Sequence, residues 1–159
     1  MKKSSCGSLI ISKKENGEIN ETIKAEIRAL RENSKVAYVG SISGEGYPQI
    51  KAMLVLEHES LPVQYFSTNL SSRRAQQFLK NPKASVYYCN EEQFKGTLFT
   101  GTIAVCTDHD TKAFLWREGF EMYYPKGVDD DDYCVLKFTA QQVNYYHGLH
   151  NETLSIKEL

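Results

Sequence analysis

Ile23, Ile27 and Leu30 recur three and four residues apart among glutamates, lysines and arginines, the spacing of one face of a helix. With Asn20 available as an N-cap, residues 21–33 are predicted to form an amphipathic helix that closes one face of the core. The period then shortens. Residues 36–43 (VAYVGSIS) and 49–57 (QIKAMLVLE) are β-rich runs flanking Gly44-Glu45-Gly46-Tyr47-Pro48, which predicts a hairpin. In its second strand Ile50, Ala52, Leu54 and Leu56 fall on one face and Gln49, Lys51, Met53 and Val55 on the other. Lys51 therefore points away from the main apolar row.

Residues 63–68 (VQYFST) read as a third strand. A helix follows from about Ser72, with Ala75, Phe78 and Leu79 on one side, and stops before Asn81-Pro82. Residues 84–89 form a fourth strand and 97–106 a long fifth one, in which Gly101 marks a bulge or a close backbone approach. Asp108 offers an N-cap for a short helix carrying Phe114, Leu115 and Trp116. A loop with Pro125, Gly127 and the aspartates 129–132, read as solvated, leads to a sixth strand at 133–139 and an aromatic tail segment at 143–146. Six β runs broken by three helices favour an antiparallel barrel with peripheral helices over a parallel α/β sheet.

Composition narrows the function classes. The chain has 159 residues, 41% of them hydrophobic and 25% charged, which suits one folded domain over 1–159 behind a polar, flexible leader at 1–18. A net charge of −1 supplies no general attraction to nucleic acid or anionic membranes, so any anion site must be a local cluster. Cys6, Cys89, Cys106 and Cys134 lack the short paired spacing of zinc sites or redox dithiols. The apolar run Leu9-Ile10-Ile11 is too short for a signal-peptide core, and the expected location is the cytoplasm. No hydrolytic triad order, Walker loop or dinucleotide glycine fingerprint occurs.

Chemistry concentrates in Thr68–Pro82, TNLSSRRAQQFLKNP. A strand ends in hydroxyl and amide side chains and a helix begins with Arg73 and Arg74 in its first turn. Unpaired N–H groups at a helix N-terminus, a hydroxyl from Ser71 or Ser72, and two guanidinium forks together suit a phosphate. Cations there are otherwise unfavourable by about 0.3–1 kcal/mol. Lys51 adds a third positive group if its strand lies alongside. On these grounds alone, phosphate ligands and two solvated surface arginines stand on equal terms.

Thr68-Asn69, Ser72-Arg73-Arg74-Ala75 and Asn81-Pro82 reproduce a Thr-Asn, Ser-Arg-Lys-Ala, Asn-Pro frame, with Arg74 in place of the usual lysine. Residues 36 to about 138 thereby resemble the pyridoxamine 5′-phosphate oxidase-related family of FMN-binding split barrels, particularly its general-stress-protein branch. The resemblance implies a six-stranded antiparallel Greek-key split barrel with peripheral helices. It implies a homodimer with FMN at the subunit interface. It also implies an FMN-dependent oxidoreductase, or alternatively a non-catalytic stress or sensor protein holding a flavin, haem or a deazaflavin. Carried over by position, Lys51 stands where the family has an arginine. Lys51 and Met53 would border the ribityl phosphate and ring, Ala52, Ser67 and Thr68 would offer backbone or hydroxyl contacts, and Ser72, Arg73 and Arg74 would hold the phosphate. Trp116 sits where relatives place an aromatic near the flavin edge, although a lone helical tryptophan is more often a core residue. Gly96 replaces the flavin-binding glutamine of the oxidase. The C-terminal YYHGLHNETLSIKEL lacks the oxidase's closing substrate motif, so oxidation of pyridoxamine phosphate itself is not expected. His147 and His150 have a spacing that two metal ligands could share on a helix, but no carboxylate or cysteine accompanies them, and they are read as exposed tail residues with no metal. His58 is a poor candidate for a haem axial ligand.

Overall fold

The computed structural model describes the backbone of residues 13–56 and 60–159 and the side chains of 21–56 and 60–159. Cys6, His58 and most of the leader lie outside the described residues. Helix α1 runs Lys13–Glu32, so Asn20 is an interior helical residue and not an N-cap. The helix buries Ile23, Ile27 and Leu30, as their spacing requires. Lys95 Nζ lies 2.6 Å from Glu26 Oε2 and ties the helix to the barrel.

Seven strands follow: β1 (Val36–Ile42), β2 (Pro48–Leu54), β3 (Val63–Asn69), β4 (Lys83–Asn90), β5 (Lys95–Cys106), β6 (Tyr133–His147) and β7 (His150–Ser155), with α2 (Arg73–Lys80) between β3 and β4 and α3 (His109–Leu115) after β5. All pairings are antiparallel, in the order β2-β1-β4-β5-β6-β3, with β7 on β6. The end strands β2 and β3 approach one another without pairing, which leaves the barrel split between them. The expected sixth strand and aromatic tail are one continuous strand of 15 residues. A seventh, polar strand follows, whose sequence HNETLS carries almost no apolar signal. His147 and His150 face each other across the turn between β6 and β7 and not along a helix.

Gly101 marks a bulge: the β5–β6 register shifts between Thr100 and Gly101, and a Cβ on Gly101 would lie 2.1 Å from the Thr139 carbonyl oxygen. The kink lets one long strand curve around the core. Val39, Phe66, Val86, Phe99, Leu136 and Phe138 fill the interior. The other face of β6 is also covered, because Tyr133 and Val135 pack with Leu115 of α3, Phe120 and Tyr124 in a second cluster.

β2 departs from its pattern in an informative way. The row Ile50, Ala52, Leu54 faces outward, with Ile50 74% and Leu54 60% exposed, while Met53 is buried. Alternation separated the two faces, but the less apolar one is turned inward at Met53, which is buried, and partly at Gln49, while Lys51 on it stays exposed. Leu56, past the end of β2, turns in to the second cluster.

Candidate functional site

The segment between β3 and α2 is held in shape by side chains that sequence reading left as solvent-exposed. The Asp132 carboxylate accepts from the Ser71 N–H (2.7 Å), the Ser71 hydroxyl (2.9 Å) and the Asn69 amide (2.9 Å), while the Asp132 carbonyl accepts from the Leu70 N–H. The bond from the Ser71 N–H, followed by the two side-chain bonds, holds the Asp132 pKa below its ordinary value. Asp130 is buried and its carboxylate accepts from the N–H groups of Lys126 and Asp132. Lys112, also buried, donates to the Asp130 carbonyl at 2.8 Å. Asp130 and Asp132 are therefore scaffolding for this loop and the one that precedes α2, while Asp129 and Asp131 are exposed as expected.

Ser72 then caps α2: its hydroxyl accepts from the Ala75 N–H at 3.2 Å and receives the Thr68 hydroxyl at 3.4 Å. Among the described residues the N–H groups of Arg73 and Arg74 have no acceptor, so the first turn presents two open donors. The two arginines part company here. Arg74 is half-buried and donates to the Val39 carbonyl at 2.9 Å. Burial pulls its pKa below the ordinary arginine value, and a guanidinium in that position remains charged. A partly desolvated cation with a neutral acceptor is one that an approaching anion stabilises. Arg73 is exposed and heads a stripe along the outer side of α2.

Lys51 belongs to the same neighbourhood. Val39, whose carbonyl holds Arg74, is the register partner of Lys51, and Gln49, on the same face of β2, accepts from the Gln77 amide of α2 at 3.0 Å. Thr68, Ser72, Arg73 and Arg74 thus lie at the first turn of α2, with Lys51 one strand beyond the Val39 carbonyl that Arg74 holds. Met53 lies beneath in the core and Ala52 on the outward face. Ser67 lies close to the Tyr124 hydroxyl, whose pKa is raised chiefly by burial. Trp116, the C-cap of α3, packs edge-on against Tyr133 (5.4 Å) and Phe120 (5.7 Å) and beside Tyr124, in the aromatic cluster rather than against α2.

These groups fit a phosphate monoester: two open backbone donors, a capping hydroxyl, two guanidinium groups and an ammonium from the neighbouring strand. The family frame that suggested them is confirmed over most of the chain, since the model of pyridoxamine 5′-phosphate oxidase matches residues 23–147. The chain belongs to the pyridoxamine 5′-phosphate oxidase family. A solved Clostridium acetobutylicum protein related to general stress protein 26 of Bacillus subtilis, of the pyridoxinephosphate oxidase family, is 42% identical over 87% of this chain and 97% of its own, with a TM-score of 0.79. General stress protein 26 of Bacillus anthracis shares the fold at 17% identity (84% and 98% covered, TM-score 0.69). So does a haem-binding protein of Mycobacterium smegmatis at 14% (84% and 57% covered, TM-score 0.65). A comparison with curated proteins finds no match.

Within this oxidase-family barrel, Gly96 sits against a pair of tyrosines. A Cβ on Gly96 would lie 2.6 Å from the Tyr87 hydroxyl and 2.8 Å from Tyr146 Cε1, and the two tyrosine hydroxyls bond at 2.6 Å. Burial first, and then that bond, pushes the Tyr87 pKa well above its ordinary value, so the pair is a neutral hydrogen-bonding unit filling the place a longer side chain would take. Cys134, buried, donates to the Thr68 carbonyl at 3.4 Å, and burial pushes its thiol up to about 12, which makes it inert. Among the described residues no group of three or more His, Cys, Asp or Glu side chains could hold a metal. Nor is any helix among them long and apolar enough to cross a membrane.

Proposed function

We propose that this protein is an FMN-dependent oxidoreductase that grips the cofactor phosphate at the first turn of α2. The observation that carries the reading is the pairing of Arg73 and the half-buried Arg74 in a first turn of α2 whose two N–H groups stand open, in a chain of the pyridoxamine 5′-phosphate oxidase family. The flavin, once bound, supplies the hydride and electron chemistry. The chain's own residues bind and orient it: Arg74 is pre-set by its bond to Val39, Ser72 and Thr68 fix the entry to the helix, and Asp132 holds the loop.

The outward apolar row of β2 supports a homodimer with flavin bound at the subunit interface. Ile50 and Leu54, with the half-exposed Tyr38 beside Ala52 in register, make an apolar stripe on an open sheet face of the kind that a second subunit covers. The free thiols Cys89, Cys106 and Cys134 suit a reducing cytoplasm.

A carrier that holds flavin without turnover is the second reading, favoured by the likeness to proteins named for general stress protein 26. Among the described residues the histidines His109, His147 and His150 are exposed, His109 lying 2.9 Å from Asp129 and His150 3.5 Å from Glu152.

The test is titration of the purified protein with FMN and with riboflavin, repeated for Arg73→Ala and Arg74→Ala. Each substitution is expected to weaken FMN about ten-fold or more and to leave riboflavin nearly unchanged. Equal losses for the two ligands would sink the phosphate assignment. Reduction of the loaded protein by NADH or NADPH, followed by reoxidation with a panel of acceptors, separates enzyme from carrier.

A further inference from the structure

The outward face of the sheet carries two unlike features, one at each end of β4. Beyond the last residue of β4, the turn into β5 holds Phe94 at a φ of 49°, with its side chain 66% exposed. A bulky residue takes this left-handed conformation only where its surroundings impose it. Here the Phe94 N–H donates to the Glu91 carbonyl at 3.2 Å, and the Phe94 carbonyl accepts from the Gly148 N–H at 3.0 Å. The ring stands edge-on to Tyr146 at 5.9 Å, on the side of the sheet where Tyr146 bonds Tyr87. Two hairpins thus hold an apolar knob out from the fold.

At the start of β4 the same face is hollow. Gly40 lies between Ile50 and Ser85 in register and has no side chain with which to fill the space above it. A depression of about 280 Å³ opens there, lined by Ile42, Pro48, Ile50 and Ala84 and bordered by the exposed Lys83. An apolar cavity of about 150 Å³ holds a benzene ring, so a phenylalanine side chain fits.

Charge matches shape. Glu91 and Glu92 are exposed beside the knob and Lys83 beside the depression, and among the described residues none of the three has an ion-pair partner. Along the extended β4 the step from Lys83 to Glu91 is roughly 26 Å, so one molecule cannot bring its knob to its own depression. A second copy can. Laid face to face about a two-fold axis with the β4 strands antiparallel, each molecule sets its 91–94 turn on the depression of the other, and the contact is made twice. Tyr38 and Tyr87, register partners on the same face, lie between the two contacts.

We propose that this chain selects a second copy of itself through a doubled knob-in-socket contact: Phe94 seated in the partner's Gly40 depression, with Glu91 and Glu92 facing the partner subunit's Lys83. The inference rests on the homodimer reading and deepens it, since it names the groups that choose the partner and gives the strained turn a purpose.

Sedimentation of the full chain over a dilution series tests this. Phe94→Gly, which removes the ring and suits the left-handed backbone, is expected to raise the dimer dissociation constant about ten-fold. Lys83→Glu alone, and Glu91→Lys with Glu92→Lys, set like charges against each other, and each variant is expected to dimerise about ten-fold more weakly than the parent. Mixing these two variants restores opposite charges at both contacts, so the mixture is expected to form a heterodimer as tight as the parent dimer. A misfolded variant could not be rescued in this way. If Phe94→Gly or the reversed variants dimerise as the parent does, or if mixing restores nothing, the contact is overturned while the homodimer stands on other surfaces. A parent chain that stays monomeric throughout the series overturns both.

Discussion

Asp132 shows how one carboxylate can shape a site without touching the ligand. Its three hydrogen bonds fix Asn69 and Ser71 and hence where the first turn of α2 begins. Its pKa in the fold lies below the ordinary 3.8. The stabilisation is therefore fully present above that value and is lost as the pH falls through the lower, folded-state pKa. Asp132→Asn is expected to lower the melting temperature at neutral pH, and the gap from the parent protein should close as the pH falls below 3.8. A pH-independent gap in thermal scans would mean that the charge is not what holds the loop. The phosphate frame Ser72-Arg73-Arg74 was legible in sequence because every partner in it is local, an N-cap and its helix. Asp132 was not, since its partners are some sixty residues away in sequence and four aspartates in a row look like a solvated loop.

At the scale of elements, periodicity located the strands and stopped short of their surroundings. Alternation in β2 showed that Lys51 and Ile50 face opposite ways, and that holds. Which face is buried depends on what α2 and α1 cover, which no local pattern encodes. The polar β7 pairs with β6 through backbone bonds that carry no hydrophobic signal, and this hid both it and the full length of β6. The bulge in β5 was legible because a glycine interrupts an otherwise regular alternation. Gly101 has the Thr139 backbone where a side chain would begin, and backbone cannot swing aside. Gly101→Ala is expected to destabilise the fold by about 1–3 kcal/mol or more, measured as a shift in the denaturation midpoint. An unchanged midpoint would show that the β5–β6 ladder tolerates a different bend.

For the whole molecule, the open question is what covers the outward face of β2 and β1. Ile50 and Leu54 together are expected to behave as interface residues. Ile50→Lys with Leu54→Lys should convert a two-chain species to a one-chain species in light scattering and reduce FMN retention along with it, because the flavin lies between subunits in the proposed arrangement. A variant that stays dimeric would place the interface elsewhere. The aromatic cluster behind β3 gives this assembly a built-in optical probe. Trp116 is the sole tryptophan of the chain, and it is locked among Tyr133 and Phe120 on the side of β3 where Ser67 meets Tyr124. All indole emission therefore comes from one fixed point. A flavin absorbs in the region where indole emits, so loading should dim that emission, while inorganic phosphate at the same turn should leave it bright. The light from one side chain would then separate cofactor capture from simple anion binding.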